Sequence, residues 1–115
     1  MIRFLCLGSG SSGNCYYLKT EKCSIIIDAG IPIRTLKKTL HDYGFSLEAV
    51  DGVFITHDHA DHIKAVGALA NDMKKLIYAT EKVHIGINNN YCTTSKVTEP
   101  SRRYLYKGVT TEIGD

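Results

Sequence analysis

Apolar positions open the chain in three short runs. Residues 2–7, 14–20 and 23–28 are rich in Ile, Leu, Tyr and Cys, and only a glycine-rich loop and the polar Thr20-Glu21-Lys22 separate them. Runs of β-favouring residues with such brief connections predict an antiparallel meander of three strands. After Gly30 the period changes. Ile33, Leu36, Leu40 and Tyr43 recur at helical spacing, with Pro32 near the first helical position and Gly44 placed as the C-cap. Asp51-Gly52 turns into a buried strand over 53–56. Ile63, Val66, Leu69, Ala70 and Met73 then predict one second helix. Residues 76–79 read as a strand, and Thr80 caps a third helix that runs to about Ile87. Beyond Asn88 the pattern weakens to short strands near Val97 and over 104–106, and the start of a hairpin over 109–113. Strands first, then alternating helix and strand, predict an α/β (α+β) fold around a mixed sheet.

The first loop reads GSGSSGN, residues 8–14. Gly8, Gly10 and Gly13 fit G-x-G-x-x-G behind an apparent strand, and Asp28 follows twenty positions after Gly8. A dinucleotide cradle, however, needs its third glycine to open a helix that packs back on the sheet. Only ten residues separate Gly13 from Ser24, and they read as strand and turn. The nucleotide reading fails for want of a crossover helix.

Chemistry concentrates in His57-Asp58-His59-Ala60-Asp61-His62, an H-x-H-x-D-H pattern that holds three of the five histidines. In an extended segment, residues two apart project to the same side, so His57 and His59 can hold one metal. Asp61 and His62 fall where the chain turns into a helix, and can reach a second metal. Imidazole and carboxylate suit Zn²⁺, Mn²⁺ or Fe. Two such ions about 3.5–4 Å apart share a water and bring its pKa toward about 7, which makes a hydrolytic hydroxide.

Topology predicts where these pieces meet. A right-handed crossover makes the strand over 53–56 parallel to the third strand. The histidine loop, Asp28-Ala29-Gly30 and GSGSSGN then converge outside one edge of the sheet. The N–H groups of that glycine loop, with Ser9, Gly10, Ser11, Ser12, Gly13 and Asn14, could there contact an anionic substrate. A plain tight turn accounts for the same residues equally well.

Asp28 at the end of an apolar strand, followed by His57, His59, Asp61 and His62, resembles the metallo-β-lactamase superfamily. More narrowly, GSGSSGNCYYL, IIIDAGIPIRTL and VFITHDHADHIKAVGAL look like its YycJ (WalJ) branch of cytoplasmic bacterial DNA exonucleases. The likeness covers residues 2 to about 83. It implies an αββα sandwich, of which this chain is the N-terminal half: a partial domain over 1–115, with helices packed on one face of the sheet. It implies two divalent ions, Zn or Mn, in the complete protein, with His57 and His59 on the first and Asp61 and His62 on the second. Asp28 then braces the metal loop without ligating, and Asp61 also orients the bridging water or accepts its proton. A third histidine for the first metal, a bridging aspartate and a last histidine for the second are expected beyond this region, since no histidine follows His84. By itself the chain is expected to hold metal partially or not at all. Asp58 occupies a variable position, while His41 and His84 match no ligand and are expected to be ordinary, partly exposed side chains.

The remaining features narrow this picture little. A formal charge of +2 announces neither nucleic acid nor membrane. No apolar run approaches the length a bilayer needs. The short start reads as a strand and not as an export signal, and Cys6, Cys15, Cys23 and Cys92 show no C-x-x-C spacing, so free thiols in the cytoplasm are expected. The leading expectation is a metal-dependent hydrolase, a DNA phosphodiesterase or exonuclease that uses a metal-bridging hydroxide. Hydrolysis of a thioester or lactone at the same site, and a non-catalytic metal-binding or regulatory fragment, are the alternatives. One sheet face is expected to lie bare, so that the chain self-associates.

Overall fold

The computed structural model describes residues 1–113. Its six-stranded mixed sheet follows chain order: β1 (Arg3–Gly8), β2 (Cys15–Lys19), β3 (Ser24–Ala29), β4 (Gly52–Phe54), β5 (Ile77–Ala79) and β6 (Arg102–Tyr104). The first three strands are the expected antiparallel meander, and β3 through β6 are parallel. Helix α1 (Ile33–Asp42) makes the crossover into β4 and buries Leu36 and Leu40. Its end is a Schellman motif. Gly44, at φ +85°, donates to His41 O, and Phe45 donates to Leu40 O at 2.8 Å, which turns Phe45 back onto Tyr17. Helix α4 (Glu81–Asn89) follows β5, with the Thr80 hydroxyl accepting from Val83 N.

The cross-strand row Tyr17, Ile26, Val53 and Ile77 is fully buried, in one core with Leu36, Leu40, Leu69 and Ile87 from the helices. The alternate row consists of Phe4, Tyr16, Leu18, Ile25, Ile27, Phe54 and Tyr78. There Phe4 is 61% exposed and most of the others are half-buried. Phe4 stacks on Tyr16 and Phe54 on Tyr78, with centroids 5.9 and 4.7 Å apart. The helices therefore cover one face of the sheet, and an aromatic and aliphatic face is left open.

Three expectations are corrected. The periodic run 63–73 forms two helices, α2 (Ala60–Ile63) and α3 (Val66–Asn71), for a reason that lies in the site. Val97 is buried in a loop, held by Asn88, which accepts from Val97 N and donates to Val97 O. Residues 109–113 form no strand. Among the described residues no helix is long and apolar enough to cross a membrane.

Candidate metal centre

The site begins with a bulge. Cys15 pairs with Ala29 and Tyr16 with Ile27, so Asp28 is the extra residue on β3, at φ +61°. Aspartate tolerates this left-handed conformation better than most residues, and bulges commonly re-aim a side chain beside a site. The Asp28 carboxylate is turned inward and is 4% exposed. Its Oδ1 accepts from Thr56 N at 2.8 Å. Its Oδ2 accepts from the Thr56 hydroxyl at 2.7 Å and from His62 Nδ1 at 2.8 Å.

These bonds set two imidazole tautomers. A carboxylate oxygen accepts, so a neutral His62 carries its proton on Nδ1 and leaves Nε2 bare. Thr56 has one hydroxyl proton, already given to Asp28. Its contact with His57 Nδ1, at 2.8 Å, must therefore be one in which His57 donates, and Nε2 of His57 is bare as well. The two rings lie 4.6 Å apart between centroids, closer than the 5.8 Å between His57 and His59. His59 stands at the rim, its side chain 73% exposed and its Nε2 3.9 Å from Asp58 Oδ1. Asp61 Oδ2 is 3.7 Å from His62 Nε2. Ligand-type atoms of Asp28, His57 and His62 fall within 4.8 Å of one another, but both Asp28 oxygens are already engaged by donors. The donors open to a cation are the histidine nitrogens and the Asp61 carboxylate.

The glycine loop meets this centre through Asn14. Asn14 N donates to Asp61 O at 2.7 Å and its Nδ2 to Asp61 Oδ2 at 3.1 Å, while its Oδ1 accepts from Gly10 N. Gly13 N donates to Gly10 O, so two of the loop's amides turn inward; Ser9, Gly10, Ser11 and Ser12 are exposed at the tip. The approach is close enough to require Gly30, where an added Cβ would stand 1.8 Å from Asp61 O. The same contact explains the broken helix. Asp61 O would ordinarily accept from the amide four residues on, that of Ala65. Asn14 takes that carbonyl, and Ala65 N donates to Ala29 O at 2.7 Å instead. The β-edge thus captures the first turn after the histidines and separates it from α3.

Asp58, expected to have no role, docks the other flank. Asn90 Nδ2 donates to Asp58 O at 3.0 Å, and an added Cβ on Gly86 would stand 1.8 Å from Asp58 Oδ2. A glycine inside a helix was the available sign that something lies against α4 there. Thr56 was equally unmarked. His84, expected to be partly exposed, is 2% exposed, with Nε2 2.8 Å from Arg103 O and its ring edge-on to Tyr104; burial holds its pKa below the ordinary value. His41 is exposed, as expected. Cys15 lies buried beneath the bulge, its thiol pKa pushed up to about 12 by desolvation, then by the nearby Asp28 and Cys6.

Comparison with known proteins gives the family. Residues 8–100 match the metallo-beta-lactamase superfamily profile. The chain is 34% identical over 113 residues to an exodeoxyribonuclease, WalJ, of Streptococcus pneumoniae serotype 2, covering 98% of this chain and 42% of that protein. It is 35% identical over 81 residues to exodeoxyribonuclease YycJ of Bacillus anthracis, covering 70% of this chain and 31% of that protein. In fold it is similar to a subclass B3 metallo-beta-lactamase with an active-site glutamic acid, with a TM-score of 0.77 at 18% identity, over 96% of this chain and 46% of that one. The chain thus spans less than half the length of these relatives.

Proposed function

Because the chain belongs to the metallo-β-lactamase superfamily, we propose that its histidine loop is one side of a two-metal centre in a hydrolase acting on DNA phosphodiesters. The observation that carries this reading is the network around Asp28, which engages Nδ1 of His62 and, through Thr56, Nδ1 of His57, and leaves the Nε2 atom of each ring to a cation. A buried carboxylate that fixes the tautomer of a metal-binding histidine is the usual outer support of such ligands. The donor set fits a divalent cation such as Zn²⁺ or Mn²⁺. His57 and His59 would hold one ion, and Asp61 and His62 the other, while Asp28 serves as the brace. When bound, the ions would supply Lewis acidity toward a phosphoryl oxygen and lower the pKa of a bound water.

The chain's own groups do the rest. Asn14 donates to Asp61 Oδ2 and so fixes the orientation of the carboxylate that would meet the second ion. Thr56 and Asp28 hold both rings in one orientation, so the ligands need little rearrangement on loading. With the amides of Gly10 and Gly13 turned inward, contact with a substrate phosphate falls to the exposed Ser9, Ser11 and Ser12. DNA as substrate is favoured by the likeness to an exodeoxyribonuclease along nearly the whole chain. We place the protein in the cytoplasm, where Cys6, Cys15, Cys23 and Cys92, all free in the structure, would stay reduced.

The test is elemental analysis of metal per chain, with end-labelled DNA and added Mn²⁺ or Zn²⁺, on the chain alone and within a protein of the relatives' length. His59→Ala is the control. Metal lost and DNA left intact in the control, against shortening of DNA by the longer wild-type protein, is the expected result. A longer wild-type protein that binds both metals and leaves DNA untouched would sink the phosphodiesterase reading.

A further inference from the structure

The outer flank of α1 carries Arg34, Lys37, Lys38 and His41, spaced i, i+3, i+4 and i+7, so they form one stripe. All four are exposed. Lys38 is held by Asp42 at 2.7 Å; among the described residues Arg34 and Lys37 have no acidic partner. The stripe forms one wall of a cleft of about 450 Å³ whose remaining lining is Phe45, Ser46, Leu47 and Glu48. Phe45 is there because the Schellman turn sends it back over Tyr17, with ring centroids 4.8 Å apart, and Leu47 is buried beneath. The result is a cationic rim over an apolar, aromatic floor, with Glu48 as the one acidic group in the lining.

Its position relates it to the metal loop. Gly30 presses on Asp61, and Arg34, in the first turn of α1, is the end of the stripe nearer that contact, while Phe45 follows the far end of the helix. From Arg34 to His41 the helix rises about 10 Å, so the stripe runs along the helix axis and not across it. We propose that this flank is a binding track for single-stranded nucleic acid, with backbone phosphates on Arg34 and Lys37 and a base or sugar against Phe45. Cations that follow the backbone beside an aromatic floor are what an unpaired strand requires. A duplex hides its base faces and would gain nothing from the floor. The inference rests on the reading that nucleic acid is the substrate, and says where a strand lies on its way to or from the metal loop.

The experiment is salt-dependent binding of fluorescent single-stranded and duplex oligonucleotides to the chain. The pair Arg34→Gln and Lys37→Gln is compared with Lys22→Gln and Lys82→Gln, which remove the same charge from exposed sites elsewhere. Unchanged urea midpoints establish that both pairs fold. The track pair is expected to lower the slope of log K against log salt for single strands by about 1.4, at ~0.7 per lost phosphate contact. The control pair should leave it unchanged, and the duplex should respond less. Equal losses from both pairs, equal effects on duplex and single strand, or no binding of single strands at low salt would each overturn the proposal. Failure of the hydrolysis test above with a selective track effect would remove the enzyme reading alone. DNA hydrolysis with no track effect would remove this inference alone.

Discussion

Asp28→Asn tests the central claim because it is nearly isosteric and leaves every proposed ligand in place. In the wild type, three donors converge on two carboxylate oxygens. An amide has one oxygen and one NH₂, so it cannot accept all three. If its oxygen stays toward the Thr56 hydroxyl and His62, the NH₂ faces Thr56 N, and a part-buried amide loses its acceptor. That loss costs about 1–3 kcal/mol of stability. If the oxygen turns to Thr56 N, the NH₂ faces His62 Nδ1, which must then accept, so its proton moves to Nε2. Thr56 would now accept from the amide and give its own proton to His57 Nδ1, so that ring changes tautomer too. Both bare Nε2 atoms would then be gone. Loss of such a supporting group typically costs 10–100-fold in metal affinity, about 1.4–2.8 kcal/mol. Urea unfolding reads the first outcome, calorimetric Zn²⁺ titration the second, and ¹⁵N shifts of the imidazoles report the tautomers without any metal. A variant within about 0.5 kcal/mol in stability, within threefold in zinc affinity, and with unchanged imidazole shifts would refute the reasoning that Asp28 sets the rings.

Other outcomes follow from the same structure. Gly30→Ala drives a methyl into the backbone of Asp61 and Asn14, which cannot swing aside, and should cost about 3 kcal/mol, the upper end of ordinary overpacking; a urea midpoint equal to wild type would contradict the close approach. His84 is held below its ordinary pKa of 6.5, chiefly by burial, so below that pH the unfolded state binds the proton more readily and stability falls as pH drops. His84→Gln should flatten the acid side of a stability-against-pH curve measured by urea unfolding. Cys15, with its pKa pushed up to about 12 against an ordinary 9.0, should stay unlabelled by a thiol reagent while exposed Cys6 reacts; the unfolded state loses the Cys15 proton first, so stability from this group declines above about pH 9. The open sheet face predicts that the chain self-associates, and Phe4→Asp with Ile27→Lys should shift it toward monomer in sedimentation velocity; a clean wild-type monomer would count against this.

Much of this protein was written in local pattern. Apolar period and punctuation sufficed for the meander, for α1 with its Gly44 cap, and for the parallel strands that carry the histidine loop to the edge where Asp28 and GSGSSGN meet. The H-x-H-x-D-H spacing marked the candidate site without any fold. What tertiary structure decided lies in bonds between residues far apart in the chain. Asn14 and Asp61 are separated by 47 positions, yet their contact divides one periodic helix in two and turns a loop that resembled a phosphate cradle into a clamp. Thr56 became the link between Asp28 and His57, and Asp58 the dock against Gly86, though neither sits in a pattern of its own. Hydrophobic periodicity reports which face of an element meets the core. It carries no information about which distant carbonyl an amide will find, and at this site those choices orient the histidine rings.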